Sequence, residues 1–366
     1  MALMRAFLRT VRERSDALEA PGKIRNPSRR ADGLPADDEV LLDAPDERLA
    51  PALVAAGRGD YGPTAELLAA TREAAEWEDR DRYVVRLAAF ARSRDEWFAD
   101  WCAAAPNDPD ALLVKAELAV ARGWQSPART ELLREVGPLI EAAAEGDPRD
   151  PVPWRVALDH ARGTDAGHAE YERLWGEAIR RSPHHYGCHV AALQYLSGAC
   201  RAQWVKTPHG PGGSHEECLD FAETAAQDSP PGSLVQALPV RAAFKYLTEG
   251  DGAVVARGRL DAAADRAIAL SSRYAPADPW PAEVRNLLTF VLVALERWED
   301  ASTQLRMIGP YATSFPWDRV SDDPLGRFLD VRNRVRLRVT SPKPPRSARL
   351  PLPRSEHAGH ATFCDH

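Results

Sequence analysis

The sequence predicts an all-α protein, an α-solenoid of stacked antiparallel helix pairs. Three observations carry that prediction. From about residue 46 onward, alanine-rich segments with apolar residues spaced three and four apart alternate with short breaks at Gly, Asp and Pro. The breaks recur at intervals of roughly 30–45 residues, the length range of helical-hairpin repeats. Sustained period-two alternation and β-branched runs, the marks of strands, are nearly absent. The chain has 366 residues. One core rarely grows past roughly 250–300 residues, so a quasi-linear array is a natural way to bury this much chain.

Taken in order, the first segment is MALMRAFLRTVRERSD. It places Met4, Phe7, Leu8 and Val11 on one side of a short amphipathic helix. Arg5 and Arg9 interrupt what would otherwise be the apolar core of a signal peptide. Residues 19–45, EAPGKIRNPSRRADGLPADDEVLLDAP, are rich in Pro, Gly and charge. They read as a linker with a short strand or turn at Val40–Leu42. Residues 1–45 thus form a helix-and-linker segment ahead of a repeat domain spanning 46–338. Within that domain the breaks fall at Gly57–Tyr61, Pro106–Asp110, Gly146–Pro153, Ser182–Pro183, Ser229–Ser233 and Ala275–Pro281. Near its end DVRNRVRLRVT alternates Arg with Val or Leu, which suits either an amphipathic strand or the last turns of a helix. Residues 339–366 are rich in Pro and Arg and then in His, and read as a disordered tail.

Particular residues carry a family resemblance. AEYERLWGEAIRRSP resembles the second helix of a tetratricopeptide repeat, in which a large apolar residue is followed three positions later by Ala and five after that by Pro. Here these are Trp175, Ala178 and Pro183. ERWEDASTQL resembles the turn between the two helices, with Trp298 at the aromatic position and Ala301 opening the second helix. GRGDYGPTAELL and FADWCAAAP, which closes on Pro106, are looser matches. The phrases PDALLV, DPVPW, RSPHHYGCHVAALQYL, GSHEECLDFA and SFPWDRVSDDPLGRFL are similar to those of an uncharacterised bacterial tetratricopeptide-like family, a domain of unknown function, over residues 80–338. The chain departs from that pattern at RAQWVKTPHGPGG, where the connection to GSHEE is longer. The resemblance implies a helical-repeat fold and no established activity. The physics agrees with it. Small residues such as Ala178 and Ala301 let helices approach, bulky ones such as Trp175 and Trp298 fill the gaps, and proline ends a helix.

Composition narrows the function classes. Hydrophobic residues make up 44% and charged residues 28%, a globular balance. The net charge of −7 argues against nucleic acid as the main partner, because phosphate binding needs a concentrated basic surface. The arginine ladder Arg332, Arg334, Arg336, Arg338 lacks the interleaved aromatics of a nucleic-acid site. No apolar run approaches the roughly 20 residues of a membrane span. Five cysteines, an odd number, suggest reduced thiols in a cytoplasm rather than a disulfide framework.

The one dense constellation is SPHHYGCH. His184, His185, Cys188 and His189 offer i, i+4 pairs, and His215 with Cys218 offers an i, i+3 pair. Zinc takes four such ligands, so two pairs on facing helices would form a metal site. The same residues also suit the start of a helix, with Gly187 and Cys188 small enough for close packing. In PHGPGGSHEECLDFAE, the H-E-x-x-H of a metalloprotease lacks its second His, and the glycines lack the G-K-[ST] of a phosphate loop. SHEE instead matches a capping box with Ser214 as N-cap and Glu217 reaching back. His357, His360, Cys364 and His366 could bind a divalent ion loosely. No catalytic motif appears, and no motif calls for a cofactor. The expectation is a non-enzymatic scaffold that binds a protein or peptide, with Tyr83, Trp97, Trp124, Trp154 and Trp204 as groove candidates that also suit a core. The alternative is a metal-dependent enzyme, or a metal-stabilised protein, with a His/Cys cluster at residues 184–218.

Overall fold

The computed structural model describes residues 33–204, 215–249 and 255–340, without the side chains of residues 198–204. The expected N-terminal helix, His209, Ser214 and the tail from residue 341 lie outside the described residues, as do the side chains of Cys200 and Trp204. The protein is all-α. Among the described residues the only sheet is a parallel pair of two-residue strands, β1 (Leu41–Leu42) and β2 (Tyr311–Ala312).

The helices of the first half are α1 (Leu49–Ala56), α2 (Gly62–Glu73), α3 (Trp77–Ser93), α4 (Glu96–Ala104), α5 (Pro109–Trp124), α6 (Arg129–Arg134), α7 (Gly137–Ala144), α8 (Val152–Gly163) and α9 (His168–Arg181). Those of the second half are α10 (Tyr186–Trp204), α11 (His215–Asp228), α12 (Leu238–Glu249), α13 (Arg257–Ser271), α14 (Ala282–Ala294), α15 (Trp298–Ile308) and α16 (Pro324–Thr340). Local chemistry sets their ends. Asp108 caps α5 by accepting from the Asp110 N–H at 2.9 Å, and Pro109 follows at the first helical position. α9 stops at Arg181, just before Pro183. The alternating segment DVRNRVRLRVT is helical: Phe328, Val331, Arg332 and Val335 of α16 are buried, spaced three, one and three apart along one face.

Neighbouring helices pack side by side: α1 on α2, α8 on α9, α11 on α12, α14 on α15 and α15 on α16. A second set of contacts links α3, α5, α8, α10, α12 and α14 in succession, so these six form one inner row. Two apolar cores result. One runs from Leu49 on α1 to Ala191 on α10, and the other from Leu193 on α10 to Val335 on α16, joined by Leu34 and Val40 from ahead of α1. Helix α10 is the seam between them.

Residues 33–45, read from sequence as part of a linker, form a strap across the far end of the chain. Leu34 and Val40 are buried in the second core. β1 pairs with β2 through Leu41 opposite Tyr311 and Leu42 opposite Ala312. Arg332 on α16, 1% exposed, donates to the Pro35 carbonyl at 3.2 Å and to the Asp37 carboxylate. The strap thereby brings the first and last parts of the described chain together.

Candidate functional site

The inner row and the strap line a half-open chamber of about 490 Å³. Helix α3 supplies one wall: Glu78, Arg82 and Arg86 recur every four residues and share a face. Helices α5 and α8 add Glu117 and Arg155, α10 adds Tyr186, α12 adds Arg241, and α14 adds Glu283. The strap residues Asp43–Asp46 and the segment Tyr311–Phe315 close the remaining side.

Three of its four arginines are tied to carboxylates. Arg155 is held by Asp81 at 2.7 Å and Glu117 at 2.6 Å. Burial pushes the Glu117 carboxyl up, against the pull of Arg155. Arg241 donates to Glu283 at 2.7 Å and to the Tyr186 hydroxyl at 3.1 Å, with its guanidinium 4.3 Å from the Phe315 ring centre. Arg86 donates to Asp43 at 3.1 Å, and Asp43 also accepts from the Ser314 N–H at 2.9 Å and from the Ser314 hydroxyl. Burial works against charge on Asp43, but Arg86 and Ser314 together hold its carboxyl below the usual carboxylate range. These pairs mainly fix the chamber's shape, because each charge is already answered.

Arg82 differs. It donates to the Trp280 carbonyl at 2.8 Å and stacks 4.0 Å above the Trp280 ring, with no carboxylate within ion-pair distance among the described residues. Burial pulls its pKa down. Glu78 accepts from the Tyr186 N–H at 2.7 Å and likewise has no ion-pair partner among the described residues. Burial raises its pKa. Glu78, Leu234 and Trp280 also line an adjoining outer cleft of about 470 Å³, so they form the partition between cleft and chamber.

No known protein family, curated protein or solved structure matches the chain. Chamber chemistry is therefore the guide to function. Its wall combines ion-paired charges, which hold shape, with Arg82, Glu78 and Asp46, which have no ion-pair partner among the described residues.

The six candidate metal ligands fall in different surroundings, His185, Cys188 and His189 being neighbours on and just before α10. His184 lines the outer cleft. His185 is buried; its Nδ1 accepts from the Cys188 N–H at 3.2 Å, which leaves Nε2 to carry the proton, 3.3 Å from the Trp77 carbonyl. His189, 5% exposed, lies 2.9 Å from the His185 carbonyl through Nδ1 and stands edge-on to Trp175, the ring centres 5.1 Å apart. Burial lowers its pKa to about 4. Cys188 lies in the first core and Cys218 in the second. His215 stands edge-on to Tyr246 at 5.4 Å. Among the described residues no group of three or more His, Cys, Asp or Glu side chains is placed to hold a metal ion.

Of the aromatic groove candidates, Tyr83 and Trp97 are core residues. Trp124 and Trp154 are partly buried under arginines, Arg162 at 4.3 Å and Arg181 at 4.3 Å. The chamber's own aromatics are Tyr186, Trp280, Tyr311 and Phe315. Sequence reasoning missed Glu78, Arg82 and Trp280 as site residues. The signal was the charge repeat in WEDRDRYVVRL, which usually marks a solvated helix face.

Proposed function

We propose that the chain is a tetratricopeptide-like helical-repeat protein, its hairpins stacked as an α-solenoid, and that its inner chamber binds a short peptide or an extended segment of a protein partner rather than catalysing a reaction. The observation that carries this reading is the chamber on the inner helix row. First helices lining a concave face are how stacked hairpins offer a binding surface. A volume of about 490 Å³ falls in the range of ligand pockets and suits a few residues rather than a folded domain. The close packing of Ala178 and the stop before Pro183 support the repeat register around α9.

Val85 gives a direct test. It lines the chamber and is 42% exposed, so Val85→Trp fills space without displacing core. Peptides selected on the wild-type protein from a random library should lose binding to Val85→Trp at unchanged melting temperature. Selected peptides that bind both forms equally would place the site elsewhere, and a library yielding no binders would remove the reading.

A further inference from the structure

We infer that the chamber recognises a short zwitterionic peptide, two or three residues long, with its carboxylate on Arg82 and its ammonium on Glu78. This rests on the peptide-binding reading and names the ligand's chemistry. Arg82 and Glu78 are one helical turn apart on the same face of α3, yet no ion pair joins them. Arg82 spends one N–H on the Trp280 carbonyl and one face on the Trp280 ring. Its remaining N–H edge is free for a planar, two-oxygen acceptor, the geometry guanidinium matches best. Glu78 spends one oxygen on the Tyr186 N–H and keeps the other for a donor.

Two opposite charges in one crevice, neither in an ion pair among the described residues, suit a ligand carrying both. Side chains four apart on a helix sit about 5–6 Å apart at their Cβ atoms. A chain spans at most about 3.3–3.6 Å per residue, so the ends of an extended dipeptide fall near that separation and those of a tripeptide reach it when the chain bends. The remainder of the wall selects against simple anions: seven further carboxylates line the chamber against three further guanidiniums. A ligand that brings its own positive charge meets no such penalty. Glu78 and Trp280 also line the outer cleft, so a ligand held on them lies beside it.

The test is calorimetric titration of the full chain with dialanine and trialanine, each free, N-acetylated, C-amidated and blocked at both ends. The free forms should bind, and blocking either end should weaken binding at least tenfold. Glu78→Gln should erase the difference between free and acetylated forms, and Arg82→Gln the difference between acid and amide. Arg82→Lys keeps the charge but not the fork, and should recover part of the acid preference; a thermal melt of each variant confirms folding. Doubly blocked peptides binding as well as free ones would overturn the zwitterion assignment and leave peptide binding in place. No binding by any form would overturn the assignment too, while library selection against Val85→Trp decides the broader reading independently.

Discussion

Arg80, Gly187 and His189 show how much single residues decide. Arg80 is 1% exposed on α3 and bonds Asp150 at 2.6 Å, Asp110 at 2.6 Å and the Leu68 carbonyl at 2.9 Å. It thus ties the N-termini of α5 and α8 to α3. Arg80→Met leaves Asp150 buried without its ion pair and Asp110 with only the longer 3.3 Å contact to Arg72, and urea denaturation should show a loss of about 3–5 kcal/mol. Adding Asp110→Asn and Asp150→Asn should recover part of it. Gly187 lies against the Asp81 carboxylate, where any Cβ would collide. Gly187→Ala should push Asp81 away from Arg155 and lower the melting temperature. His189 ordinarily titrates near 6.5 but is held at about 4 in the fold. The unfolded chain therefore binds the proton first. This contribution is complete above pH 6.5 and lost as pH falls from 6.5 toward 4, amounting to about 3 kcal/mol. His189→Phe, which keeps an aromatic ring, should flatten stability across that window; an unchanged slope would show that another group titrates there. The sequence made Gly187 and Cys188 legible as small residues for close packing. It could not show that Gly187 faces a carboxylate from another helix, nor that Arg80 meets acids 30 and 70 positions away.

Helix ends do much of the electrostatic work between elements. Arg285 on α14 is fully buried and meets no carboxylate among the described residues. Its guanidinium donates to the Ser271 hydroxyl and carbonyl, each at 3.0 Å, the Tyr274 carbonyl at 3.0 Å and the Met307 carbonyl at 3.1 Å. These oxygens lie at or just past the C-terminal ends of α13 and α15, where helix dipoles are negative. Burial lowers the Arg285 pKa, and the carbonyls take the place of water around the charge. Arg285→Met strips several buried carbonyls of their donor, so thermal denaturation should show a loss of about 2–4 kcal/mol, greater than for Arg306→Met on the exposed side of α15. Helix content was legible because apolar spacing and prolines are local signals. The nature of α16 was not, because DVRNRVRLRVT satisfies both periods and only burial of Arg332 beneath the strap selects the helical one.

Across the whole molecule, the strap matters most. Asp43 joins Arg86 of α3 to Ser314, 271 positions further on, and β1 joins β2 beside it. Asp43→Ala should lower the melting temperature and speed amide exchange at Leu41–Leu42 and Tyr311–Ala312 more than elsewhere. Uniform acceleration along the chain would mean that Asp43 stabilises the fold without closing it. Strand β1 was legible as the short strand or turn expected at Val40–Leu42, but its partner β2 and the contacts of Asp43 were not. The Pro, Gly and charge content of residues 19–45 is that of a linker, while Leu34 and Val40 gain their value only from helices at the far end. A row of helices left open at both ends behaves as a spring, stretching a little at every joint. With its ends clasped it behaves as a hoop. Tension across the chamber then loads a handful of bonds at the clasp, and opening becomes a discrete rupture with its own lifetime rather than a gradual yielding.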